Sequence, residues 1–460
     1  MSLRKGPNQS ERRVRASSAE LPLDLPTTGP IREEYKIEGT RILRKVHFGS
    51  NVGPWMEMEA PAPSRALAAN LEEVWDQALL QGGKPRSRDE SKGELRVVDL
   101  FAGCGAMSLG LKDAAEALGY EFVSSLAAEF NKEILDVYAA NLRPKKTLVG
   151  DLAKAVEYVC HESPTEEQFK LLPELKATEF FGLKNEVDVL IGGPPCQGHS
   201  DLNNHSRRND PKNTLYMLMP ALAYCLNPKA VIVENVRAVV HDKNQVVQRT
   251  RNLLRGMGYH VDDEVVLASS VGVPQKRRRH FLVAVKDPAP AIKVAQIIEG
   301  LRRKPRTVKW ALAGLKEPAP DSIFDTPSKL SARNKKRIEW LFKHGKHDLP
   351  DHKRPSCHKD KEHSYKSMYG RMREDEPAQT ITSGFGSPGQ GRFIHPWEQR
   401  LITPHEAARL QFFPDSFHFV DESGAVPKRT RLAEMIGNAV PPKLAYALGL
   451  GVLGAIVERA

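Results

Sequence analysis

Cysteine is scarce in this chain, and what there is does not pair. Cys104, Cys160, Cys196, Cys225 and Cys357 are five, an odd number, and none stands in a CxxC spacing. That argues against a disulfide framework and for a reducing compartment. Long apolar runs are missing too. The longest, 444–457, falls short of the ~18–20 residues that a membrane span needs, and its glycines and alanines suit a packed helix. The opening MSLRKGP has no apolar stretch behind its charges, so no secretory signal is expected. Acidic residues are outnumbered, 57 Asp and Glu against 68 Lys and Arg, for a formal net charge of +11. This balance favours a polyanionic partner, because Lys and Arg release counterions from phosphates. A cytoplasmic protein without membrane contact is expected.

What is present is ordinary for a folded chain: 40% hydrophobic and 27% charged residues. A length of 460 residues exceeds the ~250–300 at which single cores stop growing, so several units are expected. Residues 1–90 read as a loosely ordered extension with one helix, carried by Leu67, Leu71, Val74, Trp75 and Leu79 at helical spacing. Residues 91–286 alternate apolar strands (95–101, 122–127, 187–191, 231–234, then 265–268 and 280–285) with helical stretches from Met107, Lys132 and Thr214. That is the pattern of an α/β, doubly wound parallel sheet. Residues 287–395 lose the alternation and gain Pro, Lys, Arg and His, which predicts a second, smaller basic domain. Residues 396–460 turn helical and return to the first domain.

Four motifs sit at strand ends, where α/β folds place chemistry. Val98-Asp99-Leu100-Phe101-Ala102-Gly103-Cys104-Gly105 runs from strand through a glycine turn into a helix, a setting for a nucleotide-like ligand. Ser108 stands where a dinucleotide fingerprint wants its third glycine, so an adenosyl group fits better. Glu129 ends the second strand where ribose hydroxyls are bound, Phe130 is placed to stack on an adenine, and Gly150-Asp151-Leu152 offers a third contact. Gly192-Gly193-Pro194-Pro195-Cys196-Gln197 puts a thiol on a rigid loop. A lone cysteine is more often a small buried hydrophobe, but such a residue needs no Pro-Pro loop. Val231-Ile232-Val233-Glu234-Asn235-Val236 ends an apolar strand in a carboxylate, which burial would bias toward its protonated form. In Val273-Pro274-Gln275-Lys276-Arg277-Arg278-Arg279, alternation puts Gln275, Arg277 and Arg279 on one face; a cation there would lower a nearby thiol pKa. A basic strand on phosphates is the plainer reading.

In this order the motifs resemble the C5-cytosine methyltransferases. Two later segments extend the resemblance over roughly 95–460: Arg400-Leu401-Ile402-Thr403-Pro404-His405-Glu406-Ala407-Ala408-Arg409-Leu410-Gln411-Phe412-Phe413-Pro414, and Ile436-Gly437-Asn438-Ala439-Val440-Pro441-Pro442. The resemblance implies a Rossmann-like S-adenosylmethionine-dependent sheet with a target-recognition domain at 287–395. It implies Cys196 as the nucleophile at cytosine C6, Glu234 as the group protonating or bonding N3 and the exocyclic amine, and Arg277 and Arg279 as aids to both. Its cofactor pocket would be Phe101, Gly103, Gly105, Glu129, Phe130, Asp151, Leu152, Pro195, Leu215 and Asn438. Gln197, Ser200, Arg207, Arg208, Gln275 and Thr380 would contact double-stranded DNA, with a loop closing over a flipped cytosine. His199 departs from the Phe that many members carry.

The expected enzyme is therefore a monomeric DNA cytosine-C5 methyltransferase, of a restriction-modification system with a cognate endonuclease or an orphan. The rivals are a transfer-RNA methyltransferase of the same fold and a catalytically idle DNA-binding protein. His352, Cys357, His358 and His363 match no common zinc spacing, so no metal is expected.

Overall fold

The computed structural model describes residues 31–60, 70–160, 167–195, 215–287, 289–315, 322–356 and 367–458. Before the α/β alternation begins, β1 (Arg32–Glu38), β2 (Arg41–Phe48), β3 (Asn51–Val52) and β4 (Met56–Glu59) precede α1 (Leu71–Leu80) and β5 (Arg86–Ser87). They form a five-stranded sheet of order β1-β2-β4-β5, with β3 on β2 and every pairing antiparallel. A loosely ordered extension was expected here, and the sheet corrects that reading. Its inner face buries Ile42, Val46, Phe48, Met56 and Met58. α1 is capped by the Asn70 side chain, which accepts from Glu73 N, and packs Val74 and Trp75 on Ile42, Met56 and Met58.

The alternation then yields β6 (Glu94–Leu100), α2 (Ala106–Leu118), β7 (Glu121–Glu129), α3 (Lys132–Leu142), β8 (Thr147–Val149), β9 (Val156–Cys160), β10 (Phe169–Leu175), β11 (Val189–Gly192), α4 (Leu218–Leu226), β12 (Ala230–Val236), α5 (Val246–Gly256), β13 (Tyr259–Leu267) and β14 (Arg278–Lys286). All but the β9–β10 hairpin join one seven-stranded sheet of order β13-β14-β12-β11-β6-β7-β8. Its core is parallel, and β14 runs antiparallel to both neighbours. Successive strand residues point to opposite faces, so Val97, Ile191, Ile232 and Val283 join one apolar cluster while Val98, Leu190, Val231 and Leu282 join the other. Covering on both faces is what near-continuous apolar strands require.

The remaining helices are α6 (Val294–Gly300), α7 (Val308–Leu312), α8 (Ala332–Lys343), α9 (Pro404–Leu410), α10 (Arg429–Asn438) and α11 (Pro442–Val457). Every residue of α11 is buried, so the apolar run at the chain's end is a core helix. Ile297 of α6 approaches it at Gly451, and Leu341, Met372 and Phe393 share the cluster that holds Val283 and Leu448. The basic stretch is thus built onto the same core as the sheet.

A buried charged seam locks the N-terminal sheet onto this return. Lys443 Nζ lies 2.6 Å from Asp76 Oδ1, with side-chain exposures of 5% and 0%. Arg306 donates to Glu72 and Glu73 at 2.8 and 3.0 Å, Arg303 binds Glu33, and Tyr446 donates to Glu33 at 2.5 Å. Burial works to raise the Glu33 pKa, but Lys443, Arg44 and Arg303 overcome it and hold that carboxyl at about 2.

Candidate active site

Strand register assembles the site. Leu100 pairs with Ala128 of β7 and with Gly192 of β11, and Gly192 pairs with Val233 of β12. One residue further on, Phe101, Glu129, Gly193 and Glu234 therefore stand at one level along the carboxyl edge of four neighbouring strands. The motifs far apart in sequence meet there because the parallel strands end together.

On one side of this edge lies a cradle. Phe101 adopts φ 54°, a left-handed conformation that a bulky side chain tolerates only where its surroundings enforce it. Gly105 follows at φ 92° and opens α2; a Cβ there would meet Leu142 and Tyr138 at 2.5 and 2.8 Å, so only glycine fits. Glu129 accepts from Gly103 N at 3.0 Å and from Asn131 N at 3.1 Å. Burial raises its pKa against these bonds. Phe130 beside it is 75% exposed, an aromatic face left uncovered by protein. Nothing lies within 4 Å of where a Cβ on Gly103 would be. Asp151 is exposed and caps a short helical turn through Ala153 N, while Leu152 is buried and Leu215 partly so. Asn438 is exposed at the end of α10.

On the other side lies an acid–cation pair. Glu234 is buried, its Oε1 is 2.9 Å from Arg279 Nε, and its Oε2 would be 3.3 Å from a Cβ on Gly193. Burial raises its pKa, and the nearby Arg279, Arg277 and His280 restrain the rise. His280 itself is pushed down to about 4 by burial and bonds Asp263 at 2.9 Å. Asn235, which sequence reasoning quoted in its motif but gave no role, donates from Nδ2 to Pro194 O at 3.1 Å. The chain entering the Pro-Pro-Cys segment is thereby pinned beside Glu234; the signal for this was the polar residue directly after the strand carboxylate.

Gln275 and Arg277 do not share the position of Arg279. β14 begins only at Arg278; burial alternates as expected from Gln275 to Arg279, with Lys276 and Arg278 exposed, but Gln275 and Arg277 are held by other segments of the chain. Gln275 is buried, donates to Leu410 O and Gln411, and accepts from Ile381 N. Arg277 is fully buried and donates to Ile381 O, Gly437 O and Asn438 O. Both fasten the site strand to the C-terminal return, and Arg277 adds its charge to the surroundings of Glu234. Gly437 completes this joint: a Cβ there would lie 2.1 Å from Ser383 N. Thr380 Oγ1 donates to Lys276 O at 3.4 Å. Pro195 is partly exposed. Cys196, Gln197, His199, Ser200, Arg207 and Arg208 lie outside the described residues, as do Cys357, His358 and His363. Among the described residues, one group has donor atoms close enough for a metal, His395, Glu398 and Glu406. Arg400 fills its centre, donating to both carboxylates at 2.7–2.9 Å.

Comparison with known proteins adds to this geometry. The pattern described as C-5 cytosine-specific DNA methylase matches residues 95–452. The chain belongs to that family. As a C-5 cytosine-specific DNA methylase it is similar to the Type II methyltransferase M1.BsuMI of Bacillus subtilis, 40% identical over 91% of this chain and 94% of that protein. The Type II methyltransferase M.Eco47II of Escherichia coli is 30% identical over 82% and 83%. Among solved structures, the S. pombe Dnmt2 methyltransferase superposes with a TM-score of 0.53 over 78% of this chain and 98% of its own, at 16% identity, a likeness of fold. The methylase is a DNA cytosine-5 methyltransferase with a Rossmann-like sheet, and its N-terminal antiparallel sheet lies ahead of the family match.

Proposed function

We propose that this DNA cytosine-5 methyltransferase works through a covalent bond from Cys196 to C6 of a cytosine flipped out of duplex DNA, with S-adenosylmethionine as the methyl donor. The observation that carries this reading is the buried Glu234 carboxyl, 2.9 Å from Arg279 and against the Gly193 backbone three residues before Cys196.

The donor fits the cradle on its chemistry. Phe130 offers an uncovered ring for an adenine, and Glu129 keeps lone pairs free beyond its two backbone bonds for ribose hydroxyls. Phe101, Gly103, Gly105, Asp151, Leu152, Pro195, Leu215 and Asn438 complete the set that would hold it. When bound, it supplies the methyl group that cytosine C5 takes up.

The protein's own residues prepare C5 for that event. The Cys196 thiolate adds to C6, and the C5=C6 electrons move toward N3. Glu234, biased toward its protonated form by burial, holds a proton at N3, and Arg279 orients the ring and steadies the carboxyl. After transfer, loss of the C5 proton restores the double bond and expels the thiolate, so one difficult substitution becomes an addition and an elimination. Arg277 and Gln275 are positioning residues. Thr380, with Gln197, Ser200, Arg207 and Arg208, supports the flipped base and its phosphates, and residues 287–395 read the target sequence. We also infer a monomeric, cytoplasmic enzyme, either in a restriction-modification system with a cognate endonuclease or as an orphan; the Type II names of its relatives fit the first.

A transfer-RNA substrate is the competing reading. Offering duplex DNA and RNA side by side with labelled S-adenosylmethionine separates the two. Label is expected in DNA; exclusive labelling of RNA would overturn the substrate assignment.

A further inference from the structure

We propose that the outward face of α8 is a phosphate rail that binds one strand of the duplex while the active site holds the flipped cytosine. This rests on reading residues 287–395 as the DNA-recognising part, and goes further by naming the surface and its contact chemistry.

Lys329, Arg333, Lys335, Lys336, Lys343 and Lys346 are all exposed, and none forms an ion pair among the described residues. The outer face of the N-terminal sheet is the contrast. There Lys36, Arg41 and Arg88 are each spent on Glu38, Glu57 or Glu59. Around α8 the one exposed acid on the helix, Glu339, leaves the surface strongly positive.

Helical geometry organises these charges. Ile338 and Leu341 are the buried residues, and at 100° per residue Lys336 and Lys343 fall on the opposite side, two turns apart, flanked by Arg333 and Lys335. Arg333 and Lys335 lie at the start of the helix, which carries no acid in its first turn. Cations there oppose the helix dipole and cost stability. A polyanion reverses that cost, since side-chain charge and helix N-terminus then attract the same phosphates. The helix is fixed to the site's own segment: Arg371 lies over the Phe342 ring at 4.1 Å and Arg337 over Tyr369 at 5.5 Å. That segment runs on to Ala378, bridged to Gln275, and to Thr380.

The test uses the full chain with Arg333→Ala, Lys336→Ala and Lys343→Ala combined, measuring anisotropy of a labelled DNA duplex from low to high NaCl. The slope of log affinity on log salt is expected to fall by roughly 2.7, at about 0.9 per lost phosphate contact. Restoring charge with Lys336→Arg, Lys343→Arg and Arg333→Lys should recover the slope. An unchanged slope in the alanine variant overturns the rail, as does a change seen only with duplex RNA. A wild type that binds DNA steeply but transfers no methyl leaves the rail standing and removes the catalytic reading instead.

Discussion

Glu234→Gln lowers kcat by about 10²–10⁴-fold, the usual contribution of a positioned general acid, while binding of DNA and methyl donor changes little. Glutamine keeps the shape and can still bond the cytosine edge, but it has no proton to share at N3. The pH profile gives the second readout. Burial raises the Glu234 pKa, with Arg279, Arg277 and His280 limiting the rise. The reactive form is the protonated one, so wild-type single-turnover rates fall as pH climbs through that raised value. The variant should lose this alkaline fall. Wild-type rates with an unaltered profile in Glu234→Gln would take the carboxyl out of the reaction.

Lys443→Met destabilises the fold by about 3–5 kcal/mol, because it leaves Asp76 buried without its closest cation. Asp76 is fully buried, with Lys443 at 2.6 Å and Arg306 farther off at 3.7 Å. The urea midpoint of the full chain reads the loss. Adding Asp76→Leu should recover much of it, since a buried pair replaced by apolar groups of similar size is often neutral. A midpoint unmoved by Lys443→Met would mean that the charged seam does not hold the N-terminal sheet to α11. The sheet lies outside the family match at 95–452, so this variant asks whether residues 32–87 are part of the enzyme's body.

The parts of the fold that could be read in advance were those whose signal is local. β6, β11 and β12 are apolar runs leading to Phe101, Gly193 and Glu234, and a parallel sheet has one place for such runs and one edge where their ends gather. The N-terminal sheet was hidden because its outer face carries Lys, Arg and Glu, which pair with one another and read as a solvated tail. β13 was expected at 265–268 but spans Tyr259–Leu267. Its Asp262 and Asp263 obscured the pattern, and they are satisfied by Val294 N, Lys293 and His280, partners no local window contains. The partners of Gln275 and Arg277 were out of view for the same reason: their acceptors at 381, 410 and 437–438 come from the far end of the chain. Asn235 was in view throughout, but its purpose depended on where Pro194 lies.

The central claim is that catalysis passes through a bond between Cys196 and the target base. Duplex DNA carrying 5-fluorocytosine tests it most directly, because fluorine at C5 cannot leave as a proton does and the elimination step stalls. Wild-type protein incubated with such DNA and S-adenosylmethionine is predicted to give a protein–DNA complex that survives denaturation, and Cys196→Ser to give none. Efficient methylation of ordinary DNA with no such complex, or a complex that persists in Cys196→Ser, would contradict the account.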